Sequence, residues 1–262
     1  MKKIAKTIIL TAATATLCAC SDVTIDESDR YIYVKPADVA RAVLIEDFTG
    51  QQCSNCPTAT EMIVALQEQY GADTVIAVAI HSGPLGFAGN SRYVGLATDL
   101  GDEYYSYYGA SYQPVGMVNR NGLSDYYDWA TLVYNALQQQ ATLDMSLTCS
   151  YNDTTGIINV NVEALGTNGY TNGYLQLWAT EDSIVAMQML PDGTIDYDYV
   201  HNHVLRTAIN GTWGETFSID EGETLTAEYS LDVDDDWVAE NMSIVAFVYN
   251  DNGVQQVTKA DL

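Results

Sequence analysis

Cys53 and Cys56 are three residues apart in the stretch Val43 to Tyr70, VLIEDFTGQQCSNCPTATEMIVALQEQY, where an apolar strand gives way to an amphipathic helix. A thiol at a helix N-terminus faces unpaired N–H groups and the positive end of the helix dipole. That setting lowers its pKa from about 8.5 into the range of roughly 3.5 to 7.5. The chemistry on offer is thiol-disulfide exchange. Cys53, nearer the helix start and expected to be the more exposed, attacks a disulfide, and Cys56 resolves the mixed disulfide. Asp47 interrupts the strand as a carboxylate that is costly to bury without a purpose or a partner. From beneath the pair it would manage the proton of Cys56. No basic residue neighbours the cysteines, so a thiolate would rest mainly on the helix terminus. Pro57 fits the first helical turn, which has N–H groups to spare.

The elements that must hold these groups follow from periodicity. Val43, Leu44, Ile45 and Phe48 are β-prone, Gly50 breaks the strand, and Met62, Ile63, Leu66 and Tyr70 recur at helical spacing. Thr74 to His81 is a near-continuous apolar strand of the kind a parallel sheet buries on both faces, completing β-α-β. Ser82 to Gly101, with five glycines, is a long connection expected to cross near the thiols. Glu103 to Tyr108 reads as a short helix packing tyrosines on the sheet, and Tyr126 to Gln140 as a closing helix with Trp129, Leu132, Val133, Ala136 and Leu137 on one face. Between them, Gln113-Pro114 precedes an apolar strand and the hairpin signal Asn121-Gly122.

The order of Asp47, the Cys53-Ser54-Asn55-Cys56 pair and Pro114, some 60 residues further on, resembles the thioredoxin family. The resemblance implies a cis proline at Pro114 facing the sulfurs, with Gln113 offering backbone groups to an extended substrate peptide. It has departures. A thioredoxin begins with an additional strand and helix, for which this chain offers at most Tyr31 to Val34. The tryptophan that usually precedes the first cysteine is Gln52 here.

From Thr142 the period changes to two. Leu143–Tyr151, Ile157–Ala164, Tyr174–Thr180, Thr224–Leu231, Ser243–Tyr249 and Val254–Ala260 alternate between Asn, Asp and Gly turns. The expected fold is an α/β thioredoxin-like domain over 41–141 followed by an all-β antiparallel sandwich, immunoglobulin-like, over 142–262. His201 and His203, at i and i+2, would share one strand face. No third ligand is identifiable, so a hydrogen-bonded structural or interface role is expected and no metal or cofactor is assigned. The acidic runs 192–198 and 232–236 lack EF-hand spacing and read as solvated loops. Cys149 reads as a buried free thiol.

Ahead of the domains, Lys2, Lys3 and Lys6 precede an apolar run ending in Leu17-Cys18-Ala19-Cys20, which resembles the bacterial lipobox. Residues 1–19 are then a lipoprotein signal peptide, Cys20 carries lipid, and 20–40 is an acidic tether. Cleavage removes three of ten basic residues and none of 35 acidic ones, leaving seven against 35, a formal charge of −28. Such a chain does not bind nucleic acid, and its membrane attachment must come from the lipid. The lipobox, the EDFTG-QQ-CSNCP stretch, PVGMVNR and HNHVLR together are similar to the Bacteroidetes lipoproteins related to the twenty-eight-kilodalton outer-membrane protein. That resemblance implies an outer-membrane, lipid-anchored protein. Two functions stay open: thiol-disulfide exchange on envelope proteins, or a non-catalytic surface adhesin or ligand-binding lipoprotein in which Cys53–Cys56 is a structural disulfide.

Overall fold

The computed structural model describes Ala37 and residues 39–262; the expected signal peptide, lipidated Cys20, most of the expected tether and the strand expected at Tyr31 to Val34 lie outside the described residues. The chain is mostly β, with few helical residues and one mixed sheet. In order it forms β1 (Val43–Thr49), α1 (Cys56–Tyr70), β2 (Val75–His81), α2 (Asp99–Tyr107), β3 (Val115–Val118), β4 (Leu123–Ser124), α3 (Trp129–Leu137), β5 (Leu143–Asn152), β6 (Ile157–Gly166) and β7 (Thr171–Glu181). There follow β8 (Ile184–Met189), β9 (Ile195–His201), β10 (Val204–Ala208), β11 (Glu215–Ile219), β12 (Thr224–Asp232), β13 (Met242–Asn250) and β14 (Gly253–Asp261).

Nine strands form one sheet in the order β14-β13-β7-β10-β2-β1-β3-β4, with β11 also on β7. β1 and β2 are parallel, and β10 runs parallel to β2 through Val204 and Ala79 while pairing antiparallel with β7. Hydrogen bonding therefore crosses position 141/142 without a break, drawing strands from both sides. A second sheet, β12-β6-β5, lies against this one and gives the latter half its sandwich-like character.

Alternation along β7 and β13 explains how one sheet serves two cores. Leu177, Ala179, Ile244, Ala246 and Val248 face β5, β6 and β12, which contribute Leu143, Val160, Val162 and Tyr229. Trp178, Val245 and Phe247 point the other way, onto Phe48, Tyr104 and Met117. Being covered on both faces, β13 is an almost unbroken apolar run, whereas β6, solvated on one face, alternates. A third cluster packs α1 and α3, through Ile63, Leu66, Trp129 and Val133, on Val43, Ile45, Val75 and Ala77.

Two expectations are corrected. Residues 195–198 are not a loop but the start of β9, paired with β8 as a separate two-stranded hairpin. His201 and His203 do not share a strand face. β9 ends at His201 and the chain turns through Asn202 and His203, the latter at φ 60°, before β10.

Candidate functional site

α1 begins at Cys56 with Pro57 in its first turn, as the sequence predicts. Gly50 is required where β1 ends and the cysteine turn begins, because a Cβ there would meet the Leu85 carbonyl oxygen at 2.2 Å. That close approach lets Gln52 N–H donate to Leu85 O at 3.0 Å and brings the long connection alongside the cysteine turn. Cys53 and Cys56 are joined as a disulfide, with Cα atoms 5.4 Å apart.

Asp47 and Gln113 also lie at this end of β1. Asp47 shares the β1 face of Val43 and Ile45, the one covered by α1. It is 1 % exposed, its Oδ1 has no hydrogen-bond partner among the described residues, and burial pushes its pKa up to about 7. The Gln113–Pro114 bond is cis. The Gln113 side chain ties three segments together, donating to Thr49 O at 2.5 Å and Ser82 O at 2.8 Å and accepting from Leu85 N–H at 3.2 Å.

The exposure expected of Cys53 is not found. Cys53 is 1 % and Cys56 2 % exposed, because the β8–β9 hairpin lies over them. Gln188 on β8 donates to Cys53 O at 2.9 Å and to Gly50 O at 3.3 Å. Buried Gln51 accepts from Leu96 N–H at 2.9 Å and donates to Val94 O and Met187 O, while its own carbonyl accepts from Met189 N–H. These bonds join the cysteine turn, the long connection and the hairpin into one sealed layer. On the Cys56 side, Tyr199 of β9 reaches the Thr60 side chain of α1. A cavity of only about 20 Å³ remains there, lined by Cys56, Thr60, His81, Gln188, Tyr199 and His201 among others.

The histidine rings of His81 and His201 meet edge to face at 5.2 Å in this closed space. Burial lowers both pKa values, His81 to well below its usual range and His201 to about 4, so both are neutral at pH 7. His203 is elsewhere, with Nδ1 3.1 Å from Asp182 Oδ1. Cys149 is half-buried in β5 and its thiol is pushed up to about 11 by burial. The sequence reading missed Gln51, His81, Gln188 and Tyr199. His81 carried a weak signal as the polar end of an apolar strand, but nothing local marks a glutamine whose partners lie 135 residues away.

Comparison with known proteins agrees with this mostly β, mixed-sheet architecture. HBP35 of Porphyromonas gingivalis superposes with a TM-score of 0.65 over 85 % of this chain and 76 % of that one; at 13 % identity the likeness is one of fold alone. Residues 101–262 match the family model described as outer membrane protein Omp28, and the chain belongs to that family. A crystallised domain of the outer membrane lipoprotein Omp28 from Porphyromonas gingivalis is 30 % identical over 47 % of this chain and 88 % of that one, with a TM-score of 0.33. A search of the curated proteins returns no match. The matched segment takes in Pro114, the β8–β9 hairpin and the whole of the sandwich, but not the cysteine pair.

Proposed function

We propose that this outer membrane protein is a non-catalytic, ligand-binding lipoprotein, anchored through lipid on Cys20, in which Cys53–Cys56 is a structural bond. The observation that carries this reading is the near-complete burial of both cysteines beneath a hairpin whose polar groups are matched to the cysteine turn. A nucleophilic sulfur needs a path to its partner, and here the path is occupied. Its partner would be a surface ligand rather than a disulfide-bearing protein, and with 35 acidic residues against ten basic ones not a nucleic acid.

The test is native-state thiol trapping on the full mature chain. The oxidised pair should resist reduction at potentials above about −300 mV, and a Cys56→Ser variant should capture no envelope protein as a mixed disulfide. Ready reduction with rapid alkylation of Cys53 would overturn the reading.

A specific set of observations favours a second reading, thiol-disulfide exchange gated by the hairpin. Asp47 lies under the α1 N-terminus with a pKa near 7, and Gln113–Pro114 is cis. The strand order β10-β2-β1-β3-β4, with helices α1 and α3 over β1 and β2, supports a thioredoxin-like arrangement in which β10 supplies the strand the N-terminus was expected to provide. In this second reading Cys53 becomes reactive only when β8 and β9 lift away.

A further inference from the structure

On the side of the main sheet that carries α2, a hollow of about 520 Å³ opens between α2, the β3–β4 turn, the 210–214 loop and the ends of β7 and β13. Its walls are aromatic: Tyr107 and Tyr108 from α2, Trp213, Tyr174 and Tyr249. It adjoins a second hollow of about 540 Å³, with which it shares Tyr174, Asn250 and Asp251. The second is edged by Tyr170, Asn172 and Asn252. The result is a groove of the size small ligands occupy, with rings along its walls and amides and a carboxylate at its rim.

The rings are held rather than loose. Tyr249 Oη donates to Trp213 O at 2.7 Å, Tyr107 packs on Trp213 at 4.2 Å, and Tyr174 stacks on Tyr249 at 5.6 Å. Yet Tyr107 is 68 % and Tyr174 45 % exposed, a cost the fold has no need of. At the back, Arg120 is buried, held at φ 57° by the turn and stacked 4.1 Å from the Tyr249 ring. The Tyr249 hydroxyl is its neighbouring oxygen, but Nη1 and Nη2 make no hydrogen bond of good geometry among the described residues. Arg120 thus sits behind the rings as a fixed support, its guanidinium packed over Tyr108, Trp178, Phe247 and Tyr249.

We propose that this groove binds a neutral oligosaccharide. Sugar rings present apolar C–H faces that pack on tyrosine and tryptophan, and edge hydroxyls that suit Asn172, Asp251 and Asn252, whose side chains make no hydrogen bond among the described residues. The charge balance selects a neutral ligand. Arg120 is offset by Glu46, 3.2 Å away, so the floor carries no net positive charge. The rim holds an acid, and the whole chain has a formal charge of −25, which repels anionic glycans, phosphates and acidic lipids. The inference rests on the ligand-binding reading and names its ligand class.

The experiment is titration of the full mature chain with neutral gluco-, manno-, galacto- and xylo-pentaoses, with a sulfated pentaose as the anionic probe. Trp213 emission and calorimetry are the readouts. At least one neutral pentaose should bind saturably. Tyr174→Ala should weaken it about tenfold or more, and Tyr107→Ala should weaken it too, with melting temperatures within about 5 °C of the parent; Tyr127→Ala, 73 % exposed on the short turn before α3, should have no effect on binding. The inference is overturned if no neutral pentaose binds up to about 10 mM, a concentration that covers weak recognition. It is also overturned if the groove variants bind as well as the parent, or if the sulfated probe binds more tightly. Failure here with an inert disulfide leaves the ligand-binding reading standing, whereas saccharide binding alongside a reactive Cys53 leaves the groove and removes the structural-bond reading.

Discussion

Asp47→Asn should make the protein more stable, and by an amount that grows with pH. Asp47 is 1 % exposed, and burial raises its pKa from 3.8 to about 7. A raised carboxyl pKa means that the folded state holds the proton more tightly than the unfolded chain, so this stability is complete at pH values below 3.8. It is lost as pH climbs through 7. A displacement of about three units corresponds to ~4 kcal/mol of folding free energy forfeited above pH 8, and to less than half of that at pH 5. His201, lowered to about 4 by burial, has the opposite sign: its contribution is complete above 6.5 and lost as pH falls towards 4. The slopes of His201 and Asp47 oppose each other between about pH 4 and 7, and buried His81 adds to the side of His201. The difference between parent and Asp47→Asn removes His201 and isolates the carboxyl. In urea unfolding with the disulfide intact, the variant's advantage should widen by ~2–3 kcal/mol between about pH 5 and pH 8.5. Parallel curves for the two proteins would refute the reasoning, because they would mean that Asp47 ionises at its ordinary pKa.

Gln188→Ala removes donors to Cys53 O, Gly50 O and Met189 O. At ~1 kcal/mol net for each of the two bonds that cross to the cysteine turn, the hairpin should open about thirtyfold more often, read as faster amide exchange across 184–201 and faster alkylation of the reduced pair. Unchanged exchange would show that Gln188 does not hold the hairpin. Gly116→Ala places a Cβ 2.5 Å from Glu46 O and 2.6 Å from the Trp129 ring, so unfolding midpoints should report a loss of ~1–3 kcal/mol. A loss within about 0.5 kcal/mol would mean that α3 shifts freely over β1 and β3.

The parts of the fold that sequence makes visible are those whose pattern is set by one partner. β1 and β2 are near-continuous apolar runs because both faces are covered, α1 shows a helical period because one face is buried, and β5, β6 and β12 alternate because one face meets solvent. β8 to β11 are hidden for physical reasons. β9, Ile-Asp-Tyr-Asp-Tyr-Val-His, has exposed acids, and its partner is a lone strand, so its composition reads as a loop. β10 is five residues long and joins β2 through a single register pair, a contact that no local signal encodes. The site divides the same way. The cysteine pair, the carboxyl and the proline stand out by chemical type, whereas the seal is built from Gln51 and Gln188, ordinary polar residues whose burial depends on distant carbonyls.

The seal and the continuous sheet are aspects of one arrangement. Between β7 and β10 the chain leaves the sheet, runs over the cysteine turn as β8 and β9, and returns through His203, whose carbonyl accepts from Ala79 N–H at 2.8 Å before Val204 joins β2. The hairpin is thus anchored at both ends by strands of the central sheet, Glu181 on β7 and Val204 on β10, which pair with each other. Arg206 reinforces that base with a 2.7 Å contact to Glu181, both nearly buried. A loop closed at its base by a strand pair can lift at its tip without disturbing the sheet, but it cannot diffuse away. Its tip, Leu190 to Thr194, carries exposed Asp192 and Gly193, while its underside carries Gln188, Tyr199 and His201. Opening it would expose the neutral His81–His201 pair to water and let it take up protons near pH 6.5, so acid favours the open form through the histidines. Asp47 answers in the opposite sense, since water reaching it on opening would lower its pKa towards 3.8 and make acid favour the closed form. The two histidines and Asp47 thus bias the cover on the disulfide in opposite senses.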